Sequence, residues 1–430
     1  MNIAILGYGV EGESVYGYYH SQFPDAHFTV YDNNDVPKRP IPEGVEFVGG
    51  VKDFKGIVAD VAVKTPAIPP WKVDVTGEVT TMTREFLLHC PAPVIGVTGT
   101  KGKGTTSSLI KSILDAAGKK TWLVGNIGVG AFDILPQISP DDVIVYELSS
   151  FQLWDIDVSP HIAVVLGIEP EHLDVHKDFE DYLNAKSNIA RHQKPTDLIV
   201  YKSSNEHSST ISQLSLAEKR PYQDSSTAHV LDGKFYYGEN ELCETSVLKL
   251  PGVHNQDNAC AAIDAVWPWI KDGETIARGL EAFEGLPHRL KYVRTVDDVD
   301  YYDDSIATTP GSAIAALEAF EKPKVIIVGG SYKGATYDEL AEKIAMSNVR
   351  EVIIIGDEAP KIEASIAAPG KGIMYKNLGL SVSMSDIVKE AQSVAQPGDV
   401  VILSPSCASF DMFKSYVDRG EQFIRAVQSL

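Results

Sequence analysis

Val94-Ile-Gly-Val-Thr-Gly-Thr-Lys-Gly-Lys-Gly-Thr-Thr106 decides how the rest of the chain is read. An apolar strand runs into a glycine-rich turn, and the turn opens a helix predicted over Thr105–Ala117. The backbone N–H groups of such a turn converge on phosphate oxygens, helped by the helix N-terminus. Lys103 then reaches the outer phosphates, and a hydroxyl that follows it meets magnesium. The strict pattern GxxxxGK[ST] is broken twice, because Val97 takes its first glycine and Gly104 its hydroxyl position. Thr105 or Thr106 has to supply the hydroxyl. The competing reading is a glycine-rich strand–helix turn with a chance lysine.

Outward from this loop, strands and helices alternate. Strands are predicted at Val143–Tyr146, Ala163–Leu166 and Leu198–Tyr201, and helices at Phe179–Arg191 and Asn255–Val266. That alternation implies a mostly parallel sheet covered by helices. Toward the N-terminus, Asn2–Leu6, a glycine turn, a helix-like stretch and Phe28–Asp32 form a βαβ beginning. Toward the C-terminus the alternation restarts, with short buried-strand runs at Val325–Val328, Val352–Ile355 and Val400–Leu403. Pro91-Ala-Pro93 and Gly285-Leu-Pro-His-Arg289 punctuate the chain between these stretches. The expected fold class is α/β with three domains, each on a mostly parallel sheet: a Rossmann-like 1–89, a central P-loop domain 90–285 and a Rossmann-like 286–430. The polar stretch Ser203–Glu244 reads as a small antiparallel excursion.

Composition narrows the partners. With 38 basic and 59 acidic residues the net charge is −21. Nucleic acid and anionic membranes both demand a basic footprint, so neither is expected as a partner. No apolar run reaches bilayer length and no leader pattern opens the chain. The four cysteines are dispersed, with no CxxC pair, which reads as free thiols in a reducing cytoplasm.

Two more positions carry chemistry. Glu147 ends a strand, where ligands gather in an open α/β sheet, and a carboxylate there suits magnesium beside a nucleotide. The alternative is a helix-start acid favoured by the dipole. His172, in Glu169-Pro-Glu-His-Leu-Asp174, follows the next strand and reaches the same cleft, although a lone histidine is as often structural. Lys186, on a helix rich in charge, reads on its own as a solvated lysine.

Taken together these residues resemble the Mur ligase family, and within it the members that add D-glutamate. The matching text is TGTKGKGTT at 98–106, GNIG at 125–128, ELSSFQL at 147–153, EHLD at 171–174 and Lys186. It continues with HNQDN at 254–258, GLPHR at 285–289, DDSIAT at 303–308, GGSYKG at 329–334, SPSCASFDMF at 404–413 and RGEQF at 419–423. The resemblance implies UDP-binding, ATP-binding and amino-acid-binding domains. The implied activity is ATP-dependent joining of D-glutamate to the alanyl carboxylate of UDP-N-acetylmuramoyl-L-alanine, in peptidoglycan precursor synthesis, by a cytoplasmic monomer. It implies ATP contacts from Gly99, Thr100, Lys101, Gly102, Lys103, Gly104 and Thr105, from Asn255 and Asn258 near the base, from Arg289 at the γ-phosphate and from Asp304 at the ribose. It implies Mg²⁺ ligation by Thr105, Glu147 and His172, and a carbamylated Lys186; Lys103, His172, Lys186 and Arg289 then form the catalytic set. Val10, Glu11, Asp32 and Asn33 would take the UDP portion, and Asn126 and Ser149 the muramoyl portion. Thr308, Lys333, Ser409, Phe410 and Tyr416 would surround the glutamate, with backbone N–H groups of a helix starting after Ser409 on its second carboxylate. Four positions depart from the family pattern: Ala67, Gly104, Ile306 where a lysine is expected, and Ser331 where an aspartate is common.

Within the resemblance the alternative is another Mur-type ligase that takes a different amino acid, and outside it two other readings stand beside the ligase. Gly7-Tyr-Gly9-Val-Glu-Gly12 follows a strand, and Asp32 ends the next one about twenty residues on, which fits a dinucleotide fingerprint and a nicotinamide-dependent oxidoreductase. A non-catalytic nucleotide-binding regulator is the third. The oxidoreductase leaves the second phosphate loop, Glu147 and the C-terminal domain without a job, and a regulator would not need Lys186 or the pair Asn255 and Asn258.

Overall fold

The protein is described by a computed structural model covering residues 1–125, 128–332, 334–368 and 372–430. The chain divides into two compact units, Met1–Leu248 with His254–Phe283, and Lys249–Val253 with Glu284–Leu430.

The first unit holds two parallel sheets and one small antiparallel sheet. In the N-terminal sheet the strands are β1 Asn2–Leu6, β2 His27–Tyr31, β3 Glu46–Val48, β4 Phe54–Lys64 and β5 Val73–Thr81, in the order β3-β2-β1-β4-β5. Ile3, Ala4, Ile5 and Leu6 are all buried, as a central strand covered on both faces requires. Helix Val10–Gln22 follows β1 directly.

The second sheet comprises β6 Val94–Thr98, β7 Thr121–Gly125, β8 Val143–Glu147, β9 Ile162–Val165, β10 Leu198–Lys202 and β11 Glu218–Tyr222, in the order β11-β10-β9-β6-β8-β7. All five residues of β6 are buried. Its neighbours are β9 on one side and β8 on the other, both parallel to it. The chain order therefore reverses at β6, and the carboxyl ends of β6, β8 and β9 open onto one crevice, where α/β sheets bind ligands.

The polar stretch 203–244 is more ordered than its composition promises. It contains helix Glu206–Gln213 and β11, a parallel edge strand of the main sheet. Only its second half is the antiparallel excursion: β12 Ala228–Leu231, β13 Lys234–Tyr237 and β14 Asn240–Glu244. Strand β11 (Glu-Lys-Arg-Pro-Tyr) escapes a hydrophobic reading because edge strands tolerate charge and proline.

The second unit is one sheet of β15 Lys291–Val296, β16 Val299–Asp303, β17 Lys324–Gly329, β18 Val349–Ile355, β19 Tyr375–Gly379 and β20 Val400–Leu403, ordered β15-β16-β20-β17-β18-β19. Only β15 is antiparallel to its neighbour. The loops at the carboxyl ends of β16, β17 and β20 lie side by side. Gly330 shows how closely: at φ 147 a Cβ there would sit 2.1 Å from the Ala408 carbonyl oxygen. Among the described residues, no helix is long and apolar enough to cross a membrane.

Candidate functional site

The phosphate loop is closed by a partner far away in sequence. Gly102 precedes helix Lys103–Ala116 in the left-handed region, φ 85, and a Cβ there would lie 2.5 Å from Asn258 Oδ1. Thr106 Oγ1 donates to that same Oδ1 at 3.3 Å, and Asn258 Nδ2 donates to Asn255 Oδ1 at 3.2 Å. Helix Val253–Val266 thus delivers both asparagines to the start of the loop helix. Lys103 Nζ donates to the carbonyls of Gly99 and Thr100, both at 3.0 Å, which holds the ammonium over the turn. Gly104 and Thr105 are buried in the first turn of the helix, and Lys101 is exposed at the tip.

Around this loop the neighbouring strand ends converge. Glu147 is the last residue of β8, in register with Val97 of β6, and it is buried. The segment after β9 wraps the turn: Thr100 N donates to Gly167 O at 2.9 Å, and Thr100 Oγ1 lies 3.0 Å from Tyr182 Oη. Lys186 corrects the reading of a solvated lysine, because it is only 1 % exposed. Its helix turns a buried face to the sheet, and Nζ donates to Gly99 O at 2.9 Å and Thr98 Oγ1 at 3.3 Å while lying 4.7 Å from the Tyr182 ring centroid. Burial, then the nearby Lys103 charge, drive its amine well below the usual lysine range, against the opposing pull of Glu171 and Glu147.

One pocket is lined by Lys103, Ser149, His172 and Lys186 together with Ser150, Phe151, Glu171 and Tyr182. Four residues singled out by sequence therefore share a cavity. His172 adopts φ 57, and its ring packs 5.0 Å from Phe151. Behind the pocket is a residue that sequence reasoning missed. His176 Nδ1 lies 2.8 Å from Asp181 Oδ2, and its Nε2 lies 3.0 Å from Ser150 Oγ. Burial pushes this imidazole below its usual range despite Asp181. Asn126 lies outside the described residues.

Glu147 and the Thr105 hydroxyl are hard oxygen donors, the kind that suits magnesium. Among the described residues no three His, Cys, Asp or Glu side chains form a metal cage.

A second pocket in this unit lies at the carboxyl ends of the first sheet. Val10, Glu11, Asp32 and Asn33 all line it, with Gly7–Gly9, Lys52, Phe54, Thr65, Ala67–Pro69 and Lys72. Burial raises Asp32, but donors outweigh it and leave the carboxyl below its usual range: Asn34 N at 2.8 Å and Tyr8 N at 2.6 Å. Burial raises Glu11. Lys52 and Lys72 went unnoticed because nothing in their local sequence separates them from ordinary surface lysines.

In the second unit, Arg289 is exposed and Asp304 buried. Leu290 N donates to Asp304 Oδ1 at 3.1 Å and Ser404 Oγ to its Oδ2 at 2.7 Å, yet burial still raises the carboxyl to about 7. Thr308 follows on the same loop, and Ser409 and Phe410 follow β20; Ser409 is buried and Phe410 is 74 % exposed. Ser331 Oγ accepts from Phe410 N at 3.2 Å, so the departure at 331 ties two of these loops together. Ile306 N donates to His288 O. The expected helix immediately after Ser409 is absent: the chain turns there, with Phe413 N donating to Ser409 O, and the helix is Tyr416–Gln428. Tyr416 is therefore its first residue. Sequence reading also passed over Arg419, fully buried, whose guanidinium donates to the carbonyls of Ser305, Cys407 and Ala408 and so fixes both loops. Lys333 lies outside the described residues.

Residues 97–266 match the Mur ligase middle domain, and residues 288–407 match the Mur ligase glutamate ligase domain. A UDP-N-acetylmuramoylalanine–D-glutamate ligase from Clostridium acetobutylicum is 36 % identical over 406 residues, covering 90 % of this chain and 85 % of that protein. The enzyme of the same name from Clostridium kluyveri is 37 % identical over 404 residues, covering 90 % and 85 %. The crystal structure of UDP-N-acetylmuramate–alanine ligase from Thermotoga maritima covers 100 % of this chain and 99 % of its own at a TM-score of 0.59 and 19 % identity, which establishes a shared three-domain α/β fold. A phosphate loop closed by an asparagine pair and facing a buried lysine, in a chain this similar throughout to such enzymes, has one explanation: the chain belongs to the Mur ligase family.

Proposed function

We infer that the protein is an ATP-dependent ligase that joins D-glutamate to the alanyl carboxylate of UDP-N-acetylmuramoyl-L-alanine, in the cytoplasmic synthesis of peptidoglycan precursors. The observation that carries the chemistry is the pocket shared by Lys103, Ser149, His172 and Lys186. The choice of amino acid rests on the relatives.

Carboxylate is a poor electrophile, and forming an amide from it in water is uphill. ATP meets both demands. A carboxylate oxygen attacks the γ-phosphorus, the bond to ADP breaks, and an acyl phosphate remains. The deprotonated amine nitrogen then attacks the carbonyl carbon, and the carbon–oxygen bond to phosphate breaks. Loop amides from Gly99 to Thr105, with Lys103, hold the phosphates. Lys103 meets the charge that develops on the transferring phosphoryl group, a role that the resemblance gives to Arg289 as well. Asn255 and Asn258 face the nucleotide base, and Asp304 takes its ribose. Glu147, Thr105 and His172 would hold Mg²⁺, which supplies further positive charge at the phosphates.

Lys186 is suited to carbamylation because burial lowers its amine well below the usual lysine range and so favours the free base that attacks CO₂. The nitrogen–carbon bond forms, a proton leaves to solvent, and the amine becomes a carboxylate-like anion. In the N-terminal pocket, UDP rests on the turn at Gly7–Gly9, with Val10, Glu11, Asp32 and Asn33 around it. Asn126 and Ser149 contact the muramoyl group, and Thr308, Lys333, Ser409, Phe410 and Tyr416 the glutamate. The division into residues 1–89, 90–285 and 286–430 follows these three ligands.

The test is phosphate release from Mg-ATP with UDP-N-acetylmuramoyl-L-alanine and each of D-Glu, L-Glu, D-Asp, L-Ala or a diamino acid. Release with D-Glu alone is expected. Release with another of these and none with D-Glu overturns the substrate assignment. NADH fluorescence enhancement without any phosphate release would overturn the ligase reading.

A further inference from the structure

The two pockets of the first unit are joined by a rigid strut. The loop after β4 forms one wall of the N-terminal pocket through Thr65, Ala67, Ile68, Pro69 and Lys72. Both ends of that loop are fastened to Trp154 and Asp155, two adjacent residues just past the short helix Ser150–Leu153. At one end Lys64, wholly buried, lies 3.3 Å from Asp155 and donates to Ile68 O at 2.9 Å, pinning the wall from within. At the other end Trp71 meets Trp154 edge to face, with centroids 5.0 Å apart at 86°. Lys177 Nζ caps the free face of Trp71 at 4.5 Å from its centroid.

On its inner side Trp154 continues to the other pocket. Its ring lies 4.2 Å from His176, whose Nε2 meets Ser150 Oγ, and 5.7 Å from Phe151. Ser150 and Phe151 line the pocket that contains Lys103 and Lys186. Its Nε1 donates to Asp181 Oδ1 at 3.2 Å, so the indole has no freedom to rotate. The path from Trp71 through Trp154 to Phe151 and His176 is one of packed rings, continued by a hydrogen bond to Ser150, and such contacts transmit position because packed interiors do not compress.

We infer that Trp71, clamped on Trp154, sets the distance between the two pockets and so selects a ligand long enough to fill both: a nucleoside diphosphate at one end and a carboxylate at the other. This rests on the functional reading above, in which one substrate spans the two pockets. Trp71 lines neither pocket, so it acts through the strut as a positioning residue. Loosening the strut leaves each half-site able to bind its own fragment. What is lost is the gain from binding both ends at once, because the linked ligand then has to select one spacing from several.

The experiment is calorimetric titration of the full chain, its Trp71→Ala variant and its Trp71→Phe variant with UDP and, separately, with UDP-N-acetylmuramoyl-L-alanine. Trp71 is 36 % exposed, so the alanine variant is expected to fold. UDP should bind wild type and Trp71→Ala within about twofold, whereas the full sugar nucleotide should bind the variant roughly tenfold more weakly, the scale of a lost aromatic contact. Trp71→Phe, which keeps an edge contact, should recover most of that loss. Equal weakening of both ligands would make Trp71 a mere wall of the first pocket and overturn the inference, as would no weakening of either. Wild-type protein that binds the sugar nucleotide no better than UDP would also overturn it, while leaving UDP recognition intact. Failure to bind UDP at all would instead remove the functional reading on which it stands.

Discussion

Asp304→Asn isolates a titration built into the second unit. The carboxyl is buried, and desolvation raises it from 3.8 to about 7 even though Ser404 Oγ and Leu290 N both donate to it. A carboxyl whose folded value is raised contributes its full stability only below the unfolded value. That contribution is lost as pH climbs from about 4 to about 7, because the unfolded chain ionises while the folded one resists. Between pH 5 and pH 7 the loss is on the order of 2–3 kcal/mol, at 1.36 kcal/mol per unit. Asparagine keeps the acceptor for Leu290 N, and the Ser404 hydroxyl can rotate to accept from its amide. The variant should therefore lack this part of the pH dependence, and its stability relative to wild type should rise across pH 5–7 and level off above. Urea unfolding of both proteins at half-unit pH steps reads this directly. Parallel stability curves over that range would refute the burial argument. If Asp304 takes the ATP ribose, as proposed above, the same variant should raise the KM for ATP.

Gly102→Ala combines a left-handed backbone with a Cβ 2.5 Å from Asn258 Oδ1; it should cost at least about 1–2 kcal/mol in thermal unfolding and raise the KM for ATP, and a variant with wild-type values would mean that the loop opens freely. Lys103→Ala should lower turnover by at least about a hundredfold while leaving the far-ultraviolet circular dichroism unchanged, and near-normal ADP production by the folded variant would remove this lysine from the mechanism. Lys186→Ala should be nearly inactive and regain activity with short carboxylic acids, measured by phosphate release; a fully active alanine variant would defeat the carbamate.

The sequence exposes those parts of the fold where local physics and tertiary packing agree. Ile3–Leu6 within the strand Asn2–Leu6, and Val400–Leu403, are continuous buried apolar runs, and helix Phe179–Arg191 begins at the N-cap Asp178 and ends with Arg191; all three elements are found where they are read. Strands β4 and β5 escape such a reading, since β5 is an edge strand with much of its length exposed and β4 contains two register shifts. In the site, Lys103 and Glu147 are legible because the first opens a recognisable helix and the second ends a recognisable strand. Lys186 is not, because its chemistry comes from burial against Thr98 and Gly99, residues 88 and 87 positions away. His176 and Trp154 are invisible for the same reason: their partners are set by how the strand ends assemble. Only resemblance to a family carries that information in advance.

The central claim is that the alanyl carboxylate is activated through phosphate before D-glutamate attacks it. Mass spectrometry of one reaction tests it, with UDP-N-acetylmuramoyl-L-alanine labelled with ¹⁸O in both carboxylate oxygens, Mg-ATP and D-glutamate. The expected result is a product heavier by one glutamyl residue that retains one label, with the other label in the released phosphate. Unlabelled phosphate, or phosphate release without a glutamate adduct, would contradict the account.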